Sequence, residues 1–286
     1  MSRDAGAAVR VARLARLARR NPTAVVGAVV IGLTVFIAVT APLLTRYNPV
    51  SQIAQPLLAP GGPYPVGTDE LGRDELSRLI FGTRVSLYVG GLAVVIALVF
   101  GASSGIAAGF YGGWLDNATM RVMDVLFSMP ALVLAITLTS VLGPSLTNAM
   151  IAIGIVYAPT FARIARGPTL AVIGLPYIEA ARAIGASNAI IIVRHVLPNV
   201  SAPLLVQTTV SLSTAILTEA ALSFLGLGTQ PPTASWGLML STARQYMLLD
   251  PWIAVLPGVA IAVTVLGFNL LGDGLRDVLD PRIRTM

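Results

Sequence analysis

The sequence predicts an all-α integral membrane protein with six transmembrane helices and both termini in the cytoplasm. Three observations carry that expectation. Only 11% of the 286 residues are charged and 55% are hydrophobic, whereas a soluble domain carries roughly 25% charged residues. Such a chain cannot cover a water-facing surface. Uncharged runs long enough to cross a hydrocarbon core of about 30 Å recur along it. The arginines gather at both ends and between alternate runs, as the positive-inside rule requires when an even number of spans returns the chain to its starting side.

The same composition excludes several functions. All 19 basic residues are Arg, against 13 acidic ones, for a formal charge of +6. In a membrane chain that excess fits loop orientation and anionic lipid better than nucleic acid, and no basic patch interleaved with aromatics is present. The absence of Cys rules out disulfides, iron–sulfur clusters and Cys-ligated zinc. With no Lys there is no GxxxxGK(S/T) loop, so this chain cannot hydrolyse ATP by a P-loop. His195 is the only histidine, and without ligand spacing around it a contact role is favoured over a metal site; no metal is expected. No Ser–His–Asp grouping or carboxylate pair suggests an enzyme.

Taken in order, residues 1–23 form a basic cytoplasmic segment, read either as a helix lying on the membrane face or as simple positive-inside anchoring. Residues 24–45 are the first span, retained rather than cleaved, because the apolar run is too long for a signal peptide. Residues 46–84 are polar, Pro-rich and charge-balanced, an extracytoplasmic loop. Residues 85–272 hold the five remaining spans. The second ends near Tyr111, and its Gly90, Gly91, Gly101 and Gly105 suit close helix packing. The uncharged stretch 125–162 is too long for one span, and Gly143-Pro144-Ser145 divides it into a third and a fourth, with bends expected at Pro130 and Pro159. Residues 200–222 are the fifth span. The glycines and prolines of 226–232 argue for an outside loop rather than another crossing. Residues 251–272 are the sixth span, and 273–286 a cytoplasmic tail.

Between the fourth and fifth spans lies the most informative stretch, residues 174–199. Pro176 suits the first turn of a helix and Glu179 its dipole. Gly185 suits the left-handed residue at its end. Ser187 can cap a second short helix, which Pro198 should stop. Small residues at Ala180, Ala181 and Ala183 let the first helix sink into a groove, and Glu179 with Arg182 could fix its register there. Tyr177, Ala181 and Ile184 form its apolar face. On spacing alone, an amphipathic connector lying on the membrane surface fits equally well.

The fifth span carries a polar stripe at Gln207, Ser211, Thr214 and Thr218. It reads either as the lining of a solute path or as hydroxyls bonded to their own backbone and to a neighbouring helix. Glu219 follows, and at that depth it should reach a loop, a partner or water; a proton-relay role is the alternative.

Glu179-Ala180-Ala181, Gly185, and Leu197-Pro198 at the right distance resemble the EAA loop of the permease subunits of ABC importers. His195 stands where the general motif has Ile, which points to the peptide- and nickel-importer branch. Residues 67–87 and 218–240 resemble the C-type permeases of that branch in order and spacing. The resemblance implies the type I importer permease fold and uptake of dipeptides or oligopeptides, with nickel or glutathione as alternatives. It also implies that Glu179, Ala180, Ala181, Arg182, Gly185, His195, Leu197 and Pro198 belong to an ATPase-coupling loop. The implied partners are a second homologous permease, two ATP-binding subunits that carry the ATP and Mg, and an extracytoplasmic solute-binding protein. The membrane would be the bacterial plasma membrane. An ion-coupled secondary transporter, the rival from another class, predicts paired intramembrane charges and internal symmetry, and neither is visible.

Overall fold

The computed structural model describes residues 21–279. The arginine-rich segment 1–20 and the end of the tail, with Arg282 and Arg284, lie outside them. The described chain is helical throughout, apart from isolated bridges in one loop. Five helices are long and apolar enough to cross a membrane, and one bent helix pair supplies a sixth crossing if it counts as a single span.

Helix α1 (Pro22–Leu44) opens with Pro at the first turn, as a proline that lacks an N–H prefers. Helix α2 (Glu75–Tyr111) starts ten residues before the expected Val85. The reason is Asp74, whose carboxylate accepts from the Ser77 backbone N–H at 2.8 Å and from its hydroxyl at 2.5 Å. That cap nucleates a helix in a stretch whose charges read as loop. Helices α3 (Gly113–Phe127) and α4 (Ala131–Leu142) meet at 92° across Ser128–Pro130. The expected third span is therefore a broken helix pair, because Pro130 takes an extended ψ of 131° and drives its predecessor out of the helical region. Helix α5 (Leu146–Ile173) runs unbroken through Pro159 and Pro168, its start capped by Ser145.

Two short helices, α6 (Pro176–Ala183) and α7 (Asn188–Ile191), carry the chain to α8 (Leu197–Phe224). Pro198 does not stop α7. A wide turn over Ile192–Val196 joins α7 to α8, and the Leu197 N–H donates to the Ile192 carbonyl five residues back. The wider spacing lets a proline sit at the start of α8 without ending the helix. Helix α9 (Trp236–Ala243) is short, and α10 (Trp252–Leu279) is the last helix long and apolar enough to cross a membrane.

The centre of the bundle is α2 against α5. A Cβ on Gly101 would lie 2.2 Å from the Ala158 carbonyl oxygen, and one on Gly105 2.1 Å from that of Ala162. Backbone meets backbone there, the contact that small residues permit in a membrane. Gly90 approaches Ile216 on α8, whereas Gly91 faces open space and has no packing role. At the far end of α2 and α5, Arg166 grips Asp116 through two bonds of 2.6 Å, and Arg163 reaches Asp124 at 2.7 Å while lying 4.2 Å from the Phe127 ring centroid. These pairs hold α3 against α5.

Candidate functional site

The stretch 174–199 folds as a helical elbow held to the bundle by a few deep anchors. Ile178, Ile191 and Val196 are fully buried in the main core. Helix α6 ends as expected at Gly185, whose φ is +83°. The Gly185 N–H donates to the Arg182 carbonyl at 3.0 Å and the Ala186 N–H to that of Ala181 at 3.0 Å. This paired closure satisfies the carbonyls that a helix end leaves bare, and its left-handed residue is one that glycine adopts without strain. Ser187 accepts from the Ile190 N–H and starts α7. The His195 ring packs 5.6 Å from that of Tyr177, so the two ends of the elbow brace each other.

The remaining surface of the elbow is bare. Ile184 is 87% exposed and Val193 64%, with Tyr177 and Ile190 also exposed. The expected apolar face of α6 is thus split: Ala181 leans on the core, but Tyr177 and Ile184 do not. The spacing identified the face without revealing that Ile178, one position away, would take the inward place. Arg182 turns back over Phe110, with 5.7 Å between its guanidinium carbon and the ring centroid, and does not pair with Glu179. Glu179 is exposed and has no ion-pair partner among the described residues. Leu197 and Pro198 lie exposed at the start of α8. Isolated exposed apolar side chains are ordinary, but here several share one small elbow with an exposed carboxylate.

Comparison with known proteins shows the family. The family described as binding-protein-dependent transport system inner membrane component matches residues 101–285, and the N-terminal TM domain of oligopeptide transport permease C matches residues 13–63. The dipeptide transport system permease protein DppC of Alkalihalophilus pseudofirmus is 44% identical, over 93% of this chain and 88% of its own. This chain belongs to that family of binding-protein-dependent transport permeases. The di/tripeptide permease DppC of Pseudomonas aeruginosa is 45% identical over 92% of this chain and 89% of its own, and the glutathione permease GsiD of Pectobacterium atrosepticum 41% over 93% and 89%. Among solved structures, a chain of the MetNI methionine ABC transporter matches with a TM-score of 0.56 and 20% identity, over 71% of this chain and 96% of that one. The fold is therefore of the type I importer permease kind.

For a permease of this family the polar stripe on α8 is the second feature of interest. Ser211 and Thr218 are buried, and Thr218 shares a hydrogen bond of 2.9 Å with the Tyr157 hydroxyl of α5. Thr214 donates to the carbonyls of Val210 and Ser211, and Thr218 to that of Thr214. Gln207 donates to Ser211 at 3.0 Å and lines an open cavity of about 620 Å³ with Asn199, Val206 and Arg276. The stripe thus runs from a packed helix contact near Thr218 to an open mouth at Gln207.

Glu219, fully buried, finds a loop as its partner. Its Oε1 accepts from the Ser223 hydroxyl at 2.7 Å and the Thr229 hydroxyl at 3.2 Å, and Ser223 in turn accepts from the Thr229 N–H. The carboxyl group ties the turn 225–235 to α8. That role was open in the sequence, where only the need for some partner could be argued.

Proposed function

We propose that this permease is one of two related transmembrane subunits of an ABC importer for short peptides in the bacterial plasma membrane. The termini lie in the cytoplasm, so the elbow 174–199 faces inward and docks in a groove of an ATP-binding subunit. The partners are a second homologous permease, two ATP-binding subunits that bind the ATP and Mg, and an extracytoplasmic solute-binding protein that delivers the peptide. The chain itself performs no chemistry. The observation that carries this reading is the exposed apolar elbow: Tyr177, Ile184, Ile190 and Val193 are left bare around Glu179 while Ile178 and Ile191 lock the same elbow into the bundle. A rigidly anchored surface with an unpaired charge suits a lever that a motor subunit grips.

By this account Glu179, Ala180, Ala181, Arg182, Gly185, His195, Leu197 and Pro198 transmit movement and touch no substrate. The path between the two permeases runs past Gln207, Ser211, Thr214 and Thr218, with Gln207 and Thr214, the less buried pair, offering weak hydrogen bonds to a passing peptide. Glutathione is a second reading of the solute. The Pectobacterium relative carries that name, and a tripeptide presents the same amides and carboxylates.

The test is Gly185→Val. Open space surrounds the glycine, so its Cβ meets nothing, but a β-branched residue at φ +83° costs about 1–3 kcal/mol locally. Membrane insertion and assembly should stay intact while uptake of a labelled dipeptide falls at unchanged ATP hydrolysis. Unchanged uptake in that variant would refute the lever.

A further inference from the structure

An apolar crevice of about 570 Å³ opens between α1, the first half of α2, and α10. It has no part in the elbow or the polar stripe. Its walls include Leu33, Ile37, Ile80, Val259 and Val263, and Leu33, Val259 and Val263 stand exposed along it. Three of the four polar side chains on the wall are already engaged, Thr264 being the exception. Thr34 donates to the Val30 carbonyl at 2.8 Å, Thr83 to that of Leu79 at 3.1 Å, and the Trp236 indole N–H also to Leu79 at 3.1 Å. Water entering the crevice would find little beyond the Thr264 hydroxyl to bond, and cavities so largely apolar take up apolar molecules.

Depth and charge identify the occupant. The crevice reaches from Leu44, Leu76 and Leu256, at the ends of three helices beside the loop 45–74, down to Val30. Along α1 that is about 21 Å at 1.5 Å per residue, somewhat more than one leaflet's share, about 15 Å, of the hydrocarbon core. Close in sequence to the wall residues stand amphipathic residues of the kind that mark a membrane interface: Tyr47 just past α1, its ring against that of Tyr64, and Trp252, half-exposed, at the start of α10. Arg46, two residues beyond Leu44, is exposed, stacked 5.5 Å from the Tyr47 ring centroid, and has no carboxylate partner among the described residues. A largely apolar slot somewhat deeper than one leaflet, with an exposed guanidinium that has no carboxylate partner just past one wall, suits an acyl chain below and a phosphate-bearing headgroup above.

We infer that this crevice is a binding site for one anionic phospholipid, which fills the gap that α1 leaves against α2 and α10 on the side of the loop 45–74. The lipid's chain replaces the contacts the crevice walls lack, and Arg46 selects the headgroup.

The experiment uses the intact transporter, washed extensively in detergent, with retained phospholipid quantified by mass spectrometry. Samples are first reconstituted in vesicles of phosphatidylcholine with phosphatidylglycerol. The unsubstituted protein should keep phosphatidylglycerol through the wash. Val259→Trp fills the crevice from an exposed wall and should cut that retention roughly tenfold, the effect of expelling about two methylenes, while the melting midpoint in detergent shows that the fold persists. Arg46→Ala should leave retention of phosphatidylcholine unchanged and reduce the preference for phosphatidylglycerol about fivefold. A folded Val259→Trp that retains as much lipid as the parent overturns the proposal. So does Val259→Cys, in a chain that otherwise has no cysteine, if it cross-links to the second permease chain, because the crevice would then be a protein interface.

Discussion

Two connecting segments of this permease solve opposite problems. The stretch 67–78, where the loop ends and α2 starts, buries its charges, whereas the elbow 174–199 exposes its apolar groups. In the first, the Asp69 carboxylate accepts from the backbone N–H groups of Leu71 and Arg73 and from the Arg73 Nε at 2.6 Å, and lies 3.1 Å from the Arg78 Nε. Arg73 also reaches Glu70 at 2.8 Å, and Arg78 donates to the Pro49 carbonyl. Burial, and then the charge of Asp69, pushes the Glu70 carboxyl above its ordinary value. Asp69, Arg73, Asp74, Glu75 and Arg78 are all at least nine-tenths buried. The ion pairs of that stretch are all made within the chain. The elbow keeps Ile178 and Ile191 for itself and offers Tyr177, Ile184 and Ile190 outward. One segment pairs its charges within the chain; the other, by the proposed function, is completed by a partner.

This contrast can be broken at four places, in descending order of expected effect on stability. Asp69→Ala strips the counter-charge from two buried guanidinium groups, and removing one partner of a buried pair costs about 3–5 kcal/mol. The permease should reach the membrane at much reduced level and melt well below the parent. Gly72→Ala places a Cβ 2.1 Å from the Ala54 carbonyl oxygen at φ +73°. Strain of about 1–3 kcal/mol should lower the melting midpoint and loosen the loop to protease. His195→Ala removes the brace on Tyr177, and an aromatic pair contributes about 0.5–1.5 kcal/mol. It should barely move the midpoint and should reduce uptake. Ile184→Ser alters an 87% exposed residue and should change stability by less than about 0.5 kcal/mol, yet weaken assembly with the ATP-binding subunits. A large loss of stability from Ile184→Ser, or none from Asp69→Ala, would invert the comparison.

Much of this was legible in the residues. Uncharged runs located the long apolar helices, because lipid disfavours unpaired charge, and the Gly185 closure and the Ser187 cap formed where local chemistry placed them. Where the reading failed, long-range partners decided the outcome. The charges of 69–78 looked like a solvated loop; their burial depends on Arg78 meeting Asp69 in space and on Asp74 starting α2 early. Pro198 has the look of a stop, and only the wide turn before it lets the helix continue. The apolar face of α6 was visible as a period, but a period does not say which side another chain will cover. The stripe on α8 was likewise visible, whereas the bond from Thr218 to Tyr157 on another helix was not.

The most direct test places a single cysteine at Ile184 in this cysteine-free chain and applies a short cross-linker to the assembled transporter in membranes. The account predicts a covalent product with an ATP-binding subunit, whose yield changes when ATP is bound. Labelling of that cysteine in intact cells by a reagent that cannot cross the membrane, with no product to an ATP-binding subunit, would contradict it.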